Sequence, residues 1–197
     1  PGSQFEAVLP FSFQQAGTGT WAGGIGDLVL GAKHVVAHSR RTGSIFSVAG
    51  EVLLPTGSRA SGFGKGVTIL EPFASFGQLF AADGFVQAQV GAEIPVDDTR
   101  ANKEAFWRLA IGRSFTDGEF GRTWAPMCEL VAAREVGGTE GALWDVVPQL
   151  HVTLSTRQHI MANVGVRLPL NSRTGRRPQL VMYVLWDWFD GPLFGGW

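Results

Sequence analysis

Apolar residues alternate with polar or small residues along about ten stretches of this chain, each roughly ten residues long. Within 45–55, Phe46 and Val48 fall on one face of an extended strand, while Ser47 and Glu51 fall on the other, because strand side chains repeat every two residues. The connections between the stretches are alternately long and short. This pattern is typical of an antiparallel up-and-down transmembrane β-barrel, with one face toward lipid and the other toward a polar lumen.

The alternation predicts an all-β fold without helices. The strands are predicted at about 4–13, 26–38, 45–55, 67–80, 85–95, 104–115, 123–134, 143–155, 158–169 and 178–189. Short connections at 39–44, 81–84, 116–122 and 156–158 are interpreted as periplasmic turns, and the longer connections as outer loops. In this interpretation residues 1–189 form one barrel domain, and residues 190–197 form a C-terminal periplasmic tail.

Composition narrows the class of protein further. The net charge is −1 and no run of Lys or Arg exceeds a pair, which argues against nucleic acid as a partner. No window of about twenty residues is continuously apolar, so the sequence predicts no helical membrane span. Cys128 is the one cysteine and permits no internal disulfide. No motif predicts a cofactor or a metal site.

The alternation assigns a set of charged and polar side chains to the lumen. These predicted lumen-lining residues are Asp27, Lys33, Glu51, Glu71, Glu93, Arg108, Glu129, Asp145, His151 and Arg167, with Gln87, Gln89, Gln149 and Asn163 beside them. Both signs of charge occur, so two interpretations stay open. Ion pairs across the lumen would make a closed structural core, whereas unpaired groups would line a selective conduit.

Tryptophans occupy the opposite parity near strand ends, where amphipathic rings favour the headgroup level of a bilayer. The predicted lipid-facing aromatic girdle consists of Trp107, Trp124, Trp144, Trp186 and Trp188. The last predicted strand ends on Phe189, and such an ending resembles the signal read by the outer-membrane insertion machinery, which is therefore an expected partner. A charge at Val48, Leu109 or Val164 is expected to cost a few kcal/mol, whereas one at Ser47 or Asn163 is expected to be tolerated.

Catalysis finds little support in the sequence. His151, Ser155 and His159 invite comparison with outer-membrane lipid hydrolases, but alternation sends His151 and Ser155 inward, away from lipid. No catalytic residue is predicted. His34 has lipid-facing parity, which indicates either a contact with a partner or a shift of parity at a bulge.

Four segments resemble a known family. Gly23–Lys33 resembles the motif that enters a downward strand in the outer-membrane transporters of the MetA pathway of phenol degradation, and Glu51–Gly57, Glu71-Pro72 and Val164–Asn171 match further pieces in order. The resemblance implies a barrel of about twelve strands, so that an N-terminal hairpin would be missing here. It also implies passage of small hydrophobic or aromatic compounds. Asp27 and Lys33 match the motif, but no binding residue can be carried over.

The sequence therefore predicts a bacterial outer-membrane barrel that acts as a passive channel or transporter for small molecules, including hydrophobic or aromatic ones. Its expected partners are the lipid bilayer, the insertion machinery and a small-molecule solute. The alternative is a closed barrel that anchors or scaffolds partner proteins in the outer membrane. A soluble ligand-binding barrel would need a polar outer face, and the repeated apolar residues there argue against it.

Overall fold

The computed structural model describes residues 2–15, 21–117, 122–154, 160–171 and 176–186. Several positions considered above therefore lie outside the described residues: Ser155, the turn at 156–158, His159, Trp188, Phe189 and the tail at 190–197.

The described residues form thirteen strands joined by turns and loops. The strands are β1 (Ser3–Val8), β2 (Phe11–Gln15), β3 (Trp21–Ile25), β4 (Leu28–Ser39), β5 (Ser44–Leu54), β6 (Ile69–Leu79), β7 (Gly84–Pro95), β8 (Glu104–Arg113), β9 (Phe115–Asp117), β10 (Arg122–Glu135), β11 (Leu143–Thr153), β12 (Ile160–Pro169) and β13 (Gln179–Trp186). A single 3-10 turn, Ala81–Asp83, links β6 to β7. None of the described segments is a helix long and apolar enough to cross a membrane.

Ten of these strands form one antiparallel sheet that curves into a half-barrel. The order across the sheet is β1, β4, β5, β6, β7, β8, β10, β11, β12 and β13, so each strand after β4 lies beside the preceding long strand of the chain. The short strand β9 adds to one end of β10. This is the predicted all-β, up-and-down antiparallel arrangement. Among the described residues no pairing joins the two edge strands, β1 and β13.

The prediction was wrong at the N-terminus, where one strand at 4–13 was expected. The chain breaks at Pro10, which has no N–H to donate to a ladder and whose carbonyl oxygen instead accepts a hydrogen bond of 2.7 Å from the Gly26 N–H. Beyond this break, β2 pairs with β3 as a separate two-stranded hairpin. Sequence alternation alone gave 14–25 as a loop, and so missed this hairpin.

The two faces of the sheet differ in composition and burial. On β11, β12 and β13 every residue of the convex face is apolar, and Val164 on this face is 44 % exposed. On the concave face Ile69, Phe106 and Val147 are buried. The curvature crowds the concave side chains together, so the small apolar core and the polar side chains share that face.

Candidate functional site

The polar wall on the concave face holds nearly all of the residues that alternation assigned to the lumen. The ladder register places these residues on that face: Lys33, Glu51, Glu71, Gln87, Gln89, Glu93, Arg108, Glu129, Asp145, Gln149, His151, Asn163 and Arg167. Two of the residues expected to tolerate a charge, Ser47 and Asn163, are almost wholly buried here. That burial contradicts the expectation, because an unpaired charge in a buried position is costly.

Six glutamates lie in one row across the wall, close to the end of the sheet that carries the long loops. We call them the glutamate row: Glu6, Glu51, Glu71, Glu93, Glu104 and Glu135. Glu51 is the direct cross-strand partner of Glu71, and Glu104 is the direct partner of both Glu93 and Glu135. Like charges directly opposite one another destabilise a sheet, so the row is not explained by stability of the fold.

Gly31 makes room at the start of the glutamate row. It lies on β4 between Glu6 of β1 and Glu51 of β5. A Cβ atom at this position would lie 2.8 Å from Cγ of Glu6 and 3.1 Å from Cγ of Glu51. Only glycine therefore lets these two side chains approach each other across the intervening strand.

Among the described residues, two cations form ion pairs with the glutamate row. Arg108 Nη2 lies 3.7 Å from Oε1 of Glu71, and Arg108 Nη1 donates a hydrogen bond of 3.1 Å to Oε1 of Gln89. Lys65 Nζ donates a hydrogen bond of 3.1 Å to Oε2 of Glu93. Six carboxylates thus face two contacting cations, so this end of the wall carries net negative charge.

The pKa of Lys65 reflects this negative field. Burial acts to lower the pKa of the ammonium group, but attraction to Glu93 and the hydrogen bond to it act the other way, with further attraction from Glu104 and Glu71. The balance raises the pKa of Lys65 above its ordinary value. Lys65 therefore stays charged beside the row at physiological pH.

Asp27 lies one residue before β4 and organises the loop that carries Lys65. Its Oδ1 accepts a hydrogen bond of 2.9 Å from the Gly57 N–H, and its Oδ2 accepts one of 2.7 Å from the Lys65 N–H. A Cβ atom at Gly64 would lie 2.5 Å from Oδ1 of Asp27, so the loop packs closely around the carboxylate. Both oxygens are thus occupied by the backbone, which gives Asp27 a structural part at the mouth of the wall.

A second charged group, the Asp145 cluster (Asp145, Arg167 and Arg176), lies on the same wall. Asp145 is 1 % exposed. Its Oδ2 accepts hydrogen bonds from Nε and Nη2 of Arg167 at 2.9 and 2.6 Å, and its Oδ1 accepts one from Nη2 of Arg176. Arg176 also donates to the backbone oxygens of Trp144 and Asn171. The cluster joins β11 and β12 to the chain that follows them.

The ion pairs on this face run along the wall between nearby strands. Arg167 and Asp145 belong to the adjacent strands β12 and β11, while Arg108 of β8 reaches Glu71 of β6 past β7. The sequence suggested ion pairs across a lumen. In the half-barrel these ion pairs of Arg108 and Arg167 are lateral, so they do not cross the space in front of the wall.

Lys33 and His34 lie toward the β1 edge. Lys33 faces the concave side and borders a shallow open depression of about 310 Å³, and among the described residues it has no ion pair. His34 lies on the convex face, where its Nδ1 is 3.0 Å from Oγ of Ser3. A register shift between Val35 and Ala37 follows immediately, so a bulge does occur beside this histidine.

A row of neutral polar groups crosses β11, β12 and β13. His151, Asn163 and Tyr183 are direct cross-strand partners in this order. Next to them, Gln149 Nε2 donates a hydrogen bond of 3.0 Å to Oε2 of Glu129. The wall therefore carries neutral polar groups here, beside the Gln149–Glu129 pair and the Asp145 cluster.

Tryptophans on the convex face lie at two levels. Trp107 and Trp144 flank Ala132 as direct cross-strand partners, and their rings meet edge to face with centroids 5.5 Å apart. Trp124 lies eight residues before Ala132 on β10, near the opposite end of the strand. Trp186 pairs with Ile160 at that same end.

Among the charged residues of these sites, the sequence did not assign Glu104, Glu135 or Arg176 to the lumen. Glu104 lies four residues before Arg108 on the same strand and therefore on the same face. The alternation would have assigned it to the lumen if the first residue of the predicted strand had been included. Glu135 was placed in a loop but is the last residue of β10. Arg176 lies in a segment that was expected to be a loop, where alternation gives no information. Within the described ranges no three His, Cys, Asp or Glu side chains converge as a metal site would require.

Comparisons with known proteins do not identify a family for this chain. No model of a known protein family matches the chain. The search of curated proteins likewise finds no match. The resemblance to the MetA-pathway transporters therefore stays a prediction from the sequence.

Proposed function

We propose that this protein is a bacterial outer-membrane β-barrel that admits small solutes by passive diffusion through a polar lumen. The observation that carries the proposal is the opposite character of the two faces of the sheet. An apolar convex face bordered by tryptophans suits lipid, while a concave wall of Glu, Arg, Gln and Asn suits a water-filled interior.

The spacing of the two tryptophan levels supports a bilayer around the convex face. Trp124 and Ala132, which lies level with Trp107 and Trp144, are separated by about 27 Å along β10 at the usual rise of a strand. With the tilt of a barrel strand this corresponds to about 20 Å along the axis. The apolar band of outer-membrane barrels is roughly 25 Å tall and has aromatic girdles at both borders.

The stagger of the sheet supports closure into a barrel. The row that passes through Glu6 in β1 reaches Glu104 at the first residue of β8 and Glu135 at the last residue of β10. Later strands are thus displaced steadily in one direction, as the shear of a barrel requires. The sheet has an even number of strands, so β1 and β13 run antiparallel, as pairing between them also requires.

The lumen in this proposal is lined by the polar wall, with the glutamate row at its mouth. Rings of carboxylates favour cations in channels. The family resemblance adds small hydrophobic or aromatic compounds as solutes.

The conductance of the purified protein in a planar bilayer tests this function. We expect steady single-channel currents, and we expect Arg108→Ala and Glu51→Ala to change their size because both side chains line the proposed lumen. Folding of each sample is checked by heat-dependent migration on a gel. Silence from a folded protein would contradict the channel and favour the alternative of an anchor for partner proteins.

A matched pair of lysine substitutions tests the lipid-facing assignment. Leu109 lies on the convex face between the tryptophan levels, and Gln87 is an exposed residue of the concave face next to Ala88, the direct partner of Leu109. We expect Leu109→Lys to lower the free energy of unfolding in lipid vesicles by about 2–4 kcal/mol, and Gln87→Lys to change it little. Equal costs would contradict the membrane orientation.

A further inference from the structure

Asn163 stands out on the concave wall because its side chain is buried without a partner. It is 3 % exposed, and neither Nδ2 nor Oδ1 has a hydrogen-bond partner among the described residues. A buried amide that makes no hydrogen bond is destabilising by about 1–3 kcal/mol for each unsatisfied group. A group kept at such a cost points to a partner that the described part of the chain does not supply.

Two aromatic rings explain the burial of this carboxamide. His151 and Tyr183 flank Asn163 on the neighbouring strands, which lie about 9.6 Å apart because β12 runs between them. Their ring centroids, however, are only 6.3 Å apart, and the rings are perpendicular. Both rings therefore lean inward above Asn163 on the concave side and form a roof over it.

The roof is accessible, whereas the amide beneath it is not. Tyr183 is 45 % exposed, so rotation of its side chain toward the open concave space uncovers Asn163. The adjacent polar pair does not compete for the amide, because Gln149 and Glu129 are hydrogen-bonded to each other. The site thus combines one exposed ring and one half-buried ring with a hidden donor and a hidden acceptor.

We propose that His151, Asn163 and Tyr183 form a binding site for a small neutral solute with a planar ring and an amide group. The Asn163 carboxamide presents a donor beside an acceptor, so its complement is another amide edge that forms two hydrogen bonds with it. The rings of His151 and Tyr183 contact the planar part of the solute. The site deepens the proposed function by naming a solute class, and it rests on that function only for its place in a lumen.

Fluorine NMR tests this site directly, because Tyr183 is the only tyrosine of the chain. Incorporation of 3-fluorotyrosine gives one resonance that reports on the roof. We expect benzamide to shift this resonance in a saturable manner in the folded, detergent-solubilised protein. Toluene, which has the ring without the amide, is expected to shift it at least tenfold more weakly. Binding in detergent is independent of conductance, so failure of this site and failure of the channel are distinguishable.

Asn163→Leu is the decisive variant. Leucine is similar in size and removes both unpaired polar atoms, so the variant is expected to fold at least as stably as the wild type. We expect it to lose the benzamide response, while Gln87→Ala on the same face keeps it. Asn163→Ala provides a second test of the same loss. The proposal is overturned if benzamide gives no saturable shift in the wild type, or if the shift persists in folded Asn163→Leu.

Discussion

The glutamate row and the Asp145 cluster are the two charged regions of one wall, and they are built in opposite ways. The row sets six carboxylates against two contacting cations, with glutamates directly opposite one another. The cluster sets one buried carboxylate against two guanidinium groups that satisfy both of its oxygens. Charge in the cluster therefore holds neighbouring segments together, whereas in the proposed lumen the charge of the row is available to act on a solute.

Two isosteric substitutions test the difference between the glutamate row and the Asp145 cluster, and they have the largest expected effects on stability. Asp145→Asn leaves Arg167 and Arg176 side by side without a carboxylate, so we expect a loss of about 3 kcal/mol in the free energy of unfolding. Glu51→Gln removes one of several repelling charges, so we expect no loss and a gain of up to about 0.5 kcal/mol. Urea unfolding in detergent or lipid measures both values.

The difference in unfolding free energy between these two variants shows whether the glutamate row stabilises the fold or not. If Glu51→Gln destabilises the protein as much as Asp145→Asn, the glutamate row is a structural network like the cluster. Asp98→Asn is a suitable control, because Asp98 is largely exposed and contacts Lys103 only at 4.0 Å. A weak surface pair of this kind contributes at most about 1 kcal/mol.

Ion selectivity provides a second test of the role of the glutamate row, with a smaller expected effect. In a KCl gradient across a bilayer, we expect Glu51→Gln to lower the ratio of cation to anion permeability by about twofold at low salt. The effect should shrink near 1 M salt, where the screening length falls to about 3 Å. Asp145→Asn also makes the wall more positive, because it leaves two guanidinium groups without a carboxylate, so Gln87→Ala serves as the neutral control and should leave the ratio nearly unchanged. A shift of equal size in Gln87→Ala would contradict this role of the row.

Alternation of side chains was enough to predict most of the sheet and the composition of its two faces. Glu51, Arg108 and Asp145 lie on the expected face because the two-residue period of a strand is a local property. The break at Pro10 and the β2–β3 hairpin escaped prediction, because a proline inside an alternating stretch can either end a strand or lie at its edge.

Contacts between distant segments could not be derived from that period. The glutamate row exists only because the register of successive pairings brings glutamates from separate strands to one level. Burial of Asn163 depends on two rings that lean toward each other from strands on either side. The anchoring of Asp27 by the Gly57 and Lys65 N–H groups depends on how a loop folds back. Each of these requires knowledge of register or loop path.

The Lys65–Glu93 pair gives the smallest and most specific test of the field at the glutamate row. Because the pKa of Lys65 is raised in the folded state, the stability that it contributes is fully present below its unfolded pKa and is lost as pH rises through the folded value. The pair is partly exposed, so we expect Lys65→Gln to cost about 0.5 kcal/mol near pH 8. The difference from the wild type should vanish at the alkaline limit, above the folded pKa. Glu93→Gln should remove the same pH dependence, and a difference that persists unchanged into that range would show that Lys65 acts through packing alone.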